Sequence, residues 1–156
     1  MTIEDDISFL EQVPTLSILG RQALRILAIG AESRYVHRGD TLFSVGDQAD
    51  CGYVVHEGSF GLKSGQGQAS GEFVVGSGTL LGEVALVADT VRPVTAVALE
   101  PSTVIRISRS LFLKMLEGYP EAARRLRDTI AARAEQAAQE IQNVRGVLAP
   151  PGGQRK

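Results

Sequence analysis

Residues 81–94 read Leu81-Gly82-Glu83-Val84-Ala85-Leu86-Val87-Ala88-Asp89-Thr90-Val91-Arg92-Pro93-Val94. Gly82 permits a tight turn, because a residue without Cβ enters φ > 0 freely. Residues 83–86 can close one helical turn. The first N–H groups of such a turn have no partner inside it, and they attract an anion. Arg92 follows across a short loop and can return a planar guanidinium to the same anion. Glu83 adds a carboxylate that accepts from a hydroxyl. Amides, a guanidinium and one acceptor describe a site for a sugar phosphate rather than for a bare phosphate. Taken singly, Glu83 also reads as a helix-start carboxylate and Arg92 as a surface ion-pair residue; their spacing joins them.

Around this stretch, residues 32–108 are a series of short β-rich runs. They lie at 34–37, 41–45, 53–56, 60–63, 73–75, 95–99 and 103–108. Gly39-Asp40, Gly46-Asp47, Glu57-Gly58, Gly65, Gly67, Gly71, Gly76 and Gly78 punctuate them. Many short strands with frequent turn signals point to a sandwich, roll or barrel. Before them, residues 5–30 read as helical. Ile7, Leu10 and Val13 recur at helical spacing, Pro14 interrupts, and Gly30 suits a helix stop. After them, Ser108 or Ser110 can cap a helix carrying Leu111, Phe112, Met115 and Leu116, which Gly118 ends. Pro120 suits the first position of a second, alanine-rich helix. That helix carries Ile130, Ala134, Ala137, Ile141, Val144 and Leu148 at alternating spacings of four and three. This is a heptad seam of coiled-coil type, and it points to a homodimer, with folding back onto its own domain as the other arrangement.

The chain has 156 residues and a net charge of −2, so it makes one domain with no basic excess for nucleic acid. One cysteine, Cys51, excludes an internal disulfide and a Cys-rich zinc site, and reads as a small packing residue. A metal-dependent β-roll enzyme needs clustered histidines; His37 and His56 are far apart, so no metal is expected. No nucleophile–base pair, Walker motif or G-x-G-x-x-G stands out, so the reading is a non-enzyme. No signal peptide or membrane span is expected, which fits the cytoplasm.

Gly82-Glu83, Ala85-Leu86, a short loop, then Arg92 and a small or β-branched run resembles the phosphate-binding cassette of cyclic nucleotide-binding domains. The order of the other features agrees: N-terminal helices, the Gly39-Asp40 and Gly46-Asp47 turns, Tyr53-Val54-Val55-His56-Glu57-Gly58, and paired C-terminal helices. The resemblance covers roughly residues 7–148. It implies a mainly β fold with flanking helices: an eight-stranded, jelly-roll-like β-roll with N-terminal helices and two C-terminal helices, the last one long. It is similar to a catabolite activator-like sensor domain; after the seam the chain leaves no room for the helix-turn-helix. One domain over 5–148 is expected, including a dimerisation helix over about 121–148, with a disordered tail over 149–156.

The resemblance also implies roles. Glu83 would bind a ribose 2′-hydroxyl, Arg92 the cyclic phosphate, and the Ala85 amide a phosphate oxygen. Gly82 and Val84 would shape the turn, with Pro93 and Val94 completing the ligand-binding segment. Pro93 departs from the small or hydroxyl residue usual there, and it has no N–H. One lost bond to a charged group is worth ~1.5–3 kcal/mol, or roughly tenfold to hundredfold in Kd. The hydroxyl that helps some relatives select guanine is also absent. On the long helix, Ala137 and Ala138 match hydroxyl positions of catabolite-activator-type proteins, and Arg133 matches a polar position one turn earlier. The ligand implied is cyclic AMP ahead of cyclic GMP, with weak binding of either, or a cyclic dinucleotide, as further alternatives. A different class of function is a degenerate β-roll, a protein-interaction module that no longer binds nucleotide and works through its long helix.

Overall fold

The computed structural model describes residues 2–64 and 73–148, without the side chains at 134 and 137–148. Two helices begin the chain, α1 (Ile3–Leu10) and α2 (Arg21–Gly30), with a 3-10 turn at Leu16–Ile18 between them. Helix α1 starts earlier than the apolar spacing indicated, because Thr2 and Asp5 form a reciprocal capping box. It also stops at Leu10, short of Val13 and Pro14. A residue before proline is steered out of the helical region, yet Val13 is still fully buried.

Ten strands follow: β1 (Glu32–Val36), β2 (Thr41–Phe43), β3 (Gln48–Ala49), β4 (Cys51–Glu57), β5 (Phe60–Ser64), β6 (Phe73–Val75), β7 (Leu80–Leu81), β8 (Thr90–Val91), β9 (Val94–Ala98) and β10 (Ser102–Ser108). All pairings are antiparallel. One sheet has the order β1-β10-β4-β7, a second β2-β9-β5-β6, and β3 pairs with β8 alone. The mainly β roll with flanking helices is therefore present. It divides into ten segments rather than the eight expected, and β3, β7 and β8 are two-residue ladders. Those three carry no readable alternation; β7 leads into residues 81–94, β8 lies within them, and β3 pairs with β8.

Helices α3 (Arg109–Gly118) and α4 (Pro120–Leu148) close the chain. Ser108 is the N-cap of α3, its hydroxyl accepting from the Leu111 amide, and Pro120 opens α4. Ile130, the first seam position, packs partly buried against the domain's own helical core. The side chains of Ala134, Ala137, Ile141, Val144 and Leu148 lie outside the described residues, as do Ala138's side chain, Gly65, Gly67, Gly71 and the 149–156 tail.

Two apolar cores share strand β4, which is buried from Cys51 to Val55. Alternate side chains leave opposite faces of a strand. Cys51, Tyr53 and Val55 point into the roll with Phe43, Phe60, Leu81 and Ala96. Val54 points the other way, into a helical layer with Ile7, Leu24, Leu27, Phe112 and Leu126. Leu86 belongs to that second core, so the short turn after Gly82 is anchored beneath the helices.

Phe112→Ala removes one of the largest buried side chains from the helical layer. It should lower unfolding stability by about 3–5 kcal/mol in urea titrations; a loss below about 1 kcal/mol would show that this layer is loosely packed.

Candidate functional site

Gly82 turns the chain out of β7 at φ +89°. The turn that follows is a single 3-10 turn, Val84–Leu86. Its bonding begins with the Ala85 amide donating to the Gly82 carbonyl at 3.1 Å, then Leu86 to Glu83 at 3.2 Å. The amides of Glu83 and Val84 therefore have no partner within the turn. Ala85, the donor singled out from the sequence, is used by the turn itself.

Arg92 follows β8. Its N–H donates to the Asp47 carbonyl and its own carbonyl accepts from the Gly46 amide, both at 2.8 Å. The Gly46-Asp47 turn thus grips the backbone of Arg92 as well as reversing the chain. The side chain runs inward and is only 4% exposed. Nη2 donates to the Cys51 carbonyl at 2.8 Å and lies 3.3 Å from Cys51 Sγ. The guanidinium carbon lies 4.5 Å from the Phe43 ring centroid and 5.5 Å from that of Tyr53. Those two rings stack at 6.0 Å. Nη1 is buried with no hydrogen-bond partner, and among the described residues no carboxylate pairs with Arg92. Burial, and then the adjacent Cys51 side chain, push the Tyr53 phenol above its ordinary pKa, so the ring beside the guanidinium stays neutral.

Gly82, Glu83, Val84, Ala85, Arg92, Pro93 and Val94, all singled out from the sequence, line one cavity of about 330 Å³ together with Phe43 and Thr90. Glu83 turns to the far side of the loop. Its Oε2 accepts from Arg133 Nη1 of α4 at 2.6 Å and from the Thr15 hydroxyl. Arg133 Nη1 also donates to Thr15 Oγ1 at 2.7 Å. Thr15 sits at φ 79°, ψ −48°, near a rare and strained γ-turn geometry. For a β-branched residue this is an outlier of the kind that collects at functional sites. Glu83 and Arg133 are 34% and 45% exposed, so their attraction is screened and worth at most about 1 kcal/mol.

The model of the family described as cyclic nucleotide-binding domain matches residues 33–119. The chain belongs to that family.

A cyclic nucleotide-binding-like protein from Brucella abortus is 41% identical to this cyclic nucleotide-binding domain, covering 72% of this chain and 98% of that one at a TM-score of 0.64. The N-terminal domain of a transcriptional regulator from Streptomyces coelicolor is 28% identical, covering 85% and 94% at a TM-score of 0.76. An NTE family protein of Mycobacterium tuberculosis is 32% identical over 111 residues, 71% of this chain. A cAMP-dependent protein kinase regulatory subunit from Debaryomyces hansenii is 32% identical over 109 residues, 69% of this chain. The chain spans about a fifth of the length of the first of these two curated relatives and about a quarter of the second. Among the described residues, no group of His, Cys, Asp and Glu is arranged to hold a metal, and no helix is long and apolar enough to cross a membrane.

The residues singled out from the sequence leave out four contributors in this cyclic nucleotide-binding domain: Phe43, Tyr53, Cys51 and Thr15. Phe43 and Tyr53 are inward positions of alternating strands, a signal that was open to use. Cys51 is more than a packing residue, since it supplies both a carbonyl and a sulfur to Arg92.

A Cβ on Gly82 would stand 2.4 Å from Arg92 Nη1 and 3.2 Å from the Cys51 carbonyl, on a backbone that side chains rarely adopt. Gly82→Ala should therefore cost about 1–3 kcal/mol, read as a lower urea midpoint. An unchanged midpoint would mean that Arg92 moves aside freely.

Proposed function

We propose that this chain is a non-enzymatic cyclic nucleotide sensor that takes cyclic AMP ahead of cyclic GMP and signals through its C-terminal helices. The observation that carries this reading is Arg92, a buried cation that lines the cavity and whose Nη1 has no hydrogen-bond partner. A buried charge lacking a counter-charge is costly, and a cyclic phosphate supplies the missing anion. The Glu83 and Val84 amides add donors at the same end, and the Ala85 amide is shared between Gly82 and the ligand. The resemblance to a kinase regulatory subunit named for cAMP supports the same ligand.

Glu83 gives the signal a route. A ribose 2′-hydroxyl that donates to its carboxylate competes with Arg133 and Thr15, which donate to the same oxygen. Binding therefore trades a contact to α4 for a contact to ligand, and α4 shifts. Pro93 donates nothing, so affinity rests on Arg92 and the turn. The sensor unit spans 5–148, acts in the cytoplasm, and pairs with a second copy through the seam of Ile130, Ala134, Ala137, Ile141, Val144 and Leu148.

Isothermal titration with cyclic AMP and cyclic GMP tests the ligand. Saturable binding at one site per chain is expected, with cyclic AMP the tighter, and Arg92→Ala should weaken it roughly tenfold to hundredfold, as loss of a charged bond implies. No heat and no thermal shift at millimolar nucleotide would mean that the roll has lost its ligand and serves as an interaction module. Sedimentation velocity tests the seam: the unaltered chain should run as a dimer and Ile141→Asp as a monomer, whereas a variant that stays dimeric removes the seam from the interface.

A further inference from the structure

Arg109, the first residue of α3, makes three separate side-chain contacts to the segments that frame the nucleotide cavity. Its Nε donates to the Ala85 carbonyl at 2.9 Å, in the middle of the turn that follows Gly82. Its Nη1 meets Asp89 Oδ1 at 2.8 Å, in the middle of the loop. Its Nη2 donates to the Ala49 carbonyl at 2.6 Å. Ala49 lies in β3, opposite Thr90 of β8, so this third contact sets the strand that delivers Arg92. The backbone of Arg109 is itself fixed, its N–H donating to the Asp50 carbonyl at 2.8 Å.

We propose that Arg109 is a positioning residue for nucleotide binding, which holds the start, the middle and the return of the 82–94 loop in one geometry from the N-terminus of α3. This rests on the reading of the cavity as a cyclic nucleotide site. A guanidinium presents several N–H groups in a fixed plane, so one side chain reaches three acceptors that do not move relative to one another. A lysine keeps the charge but offers a single point and cannot span them. The contact also ties the first residue of α3 to the Ala85 turn directly rather than through the apolar core. This path is independent of Glu83 and Arg133, which join the loop to α4.

The test compares the unaltered chain with Arg109→Lys and Asp89→Ala. Hydrogen exchange of the ligand-free proteins comes first. In Arg109→Lys, amides at 85–91 should exchange about tenfold faster, while those of β4 and β10 keep their protection. Titration with cyclic AMP should then show about a tenfold weaker Kd for Arg109→Lys, the scale of one charge-assisted bond. Asp89→Ala, which removes only the exposed contact (Asp89 is 93% exposed), should change Kd by less than about threefold. Unchanged exchange at 85–91 overturns the proposal. So does a loosened loop that binds cyclic AMP as tightly as before, or an Asp89→Ala loss equal to that of Arg109→Lys. If the unaltered chain binds no cyclic nucleotide, the reading of Arg92 fails instead. The exchange of residues 85–91 still decides whether Arg109 sets the loop.

Discussion

A guanidinium enclosed in protein, with no counter-ion among the described residues, sets the conditions that the rest of the roll meets. Arg92 needs acceptors, aromatic faces and room. The Cys51 carbonyl provides the first, Phe43 and Tyr53 the second, and the missing side chain of Gly82 the third. They come from β4 (Cys51 and Tyr53), β2 (Phe43) and the turn after β7 (Gly82). The register that pairs Tyr53 with Leu81 therefore brings the Gly82 turn to the strand that carries Cys51. The two-residue ladder of β3 on β8 then returns Arg92 to the same point. A slip of one residue in either ladder would turn the side chains to the opposite face, and the site would be lost while the fold class remained.

The helical layer reaches this centre by polar contacts as well as by burial. Leu86 is rooted among the helices, Arg109 ties the loop to α3, and Arg133 with Thr15 ties Glu83 to α4 and to the segment after α1. Apolar contact resists separation but tolerates sliding, whereas a hydrogen-bonded guanidinium has a defined direction. The arrangement therefore fixes the orientation of the loop against two different helices.

Much of this was legible in the residues. The seven longer strands, both C-terminal helices and the convergence of residues 82–94 on one cavity follow from turn punctuation, capping signals and spacing. The three shortest strands were not legible, since two residues display no period. Thr2 was missed because its capping partner is Asp5 rather than the commoner Glu or Gln. The direction of Glu83 was also hidden. Its partners lie 68 and 50 residues away along the chain, and nothing local marks Thr15 as a residue in a strained turn. Arg109 looked like any first-turn arginine, because its three acceptors are set by tertiary placement alone.

The family match covers residues 33–119, but the core that supports Leu86 draws on Ile7, Leu10, Val13, Leu16 and Leu24 from before that stretch and on Ala122 and Leu126 from after it. The segment that can be recognised is thus smaller than the segment that must fold together. Residues outside it are free to diverge in identity so long as they stay apolar and fill the same space. Two relatives can therefore share a recognisable roll while differing widely in the helices that brace it, and so in how firmly the 82–94 loop is held.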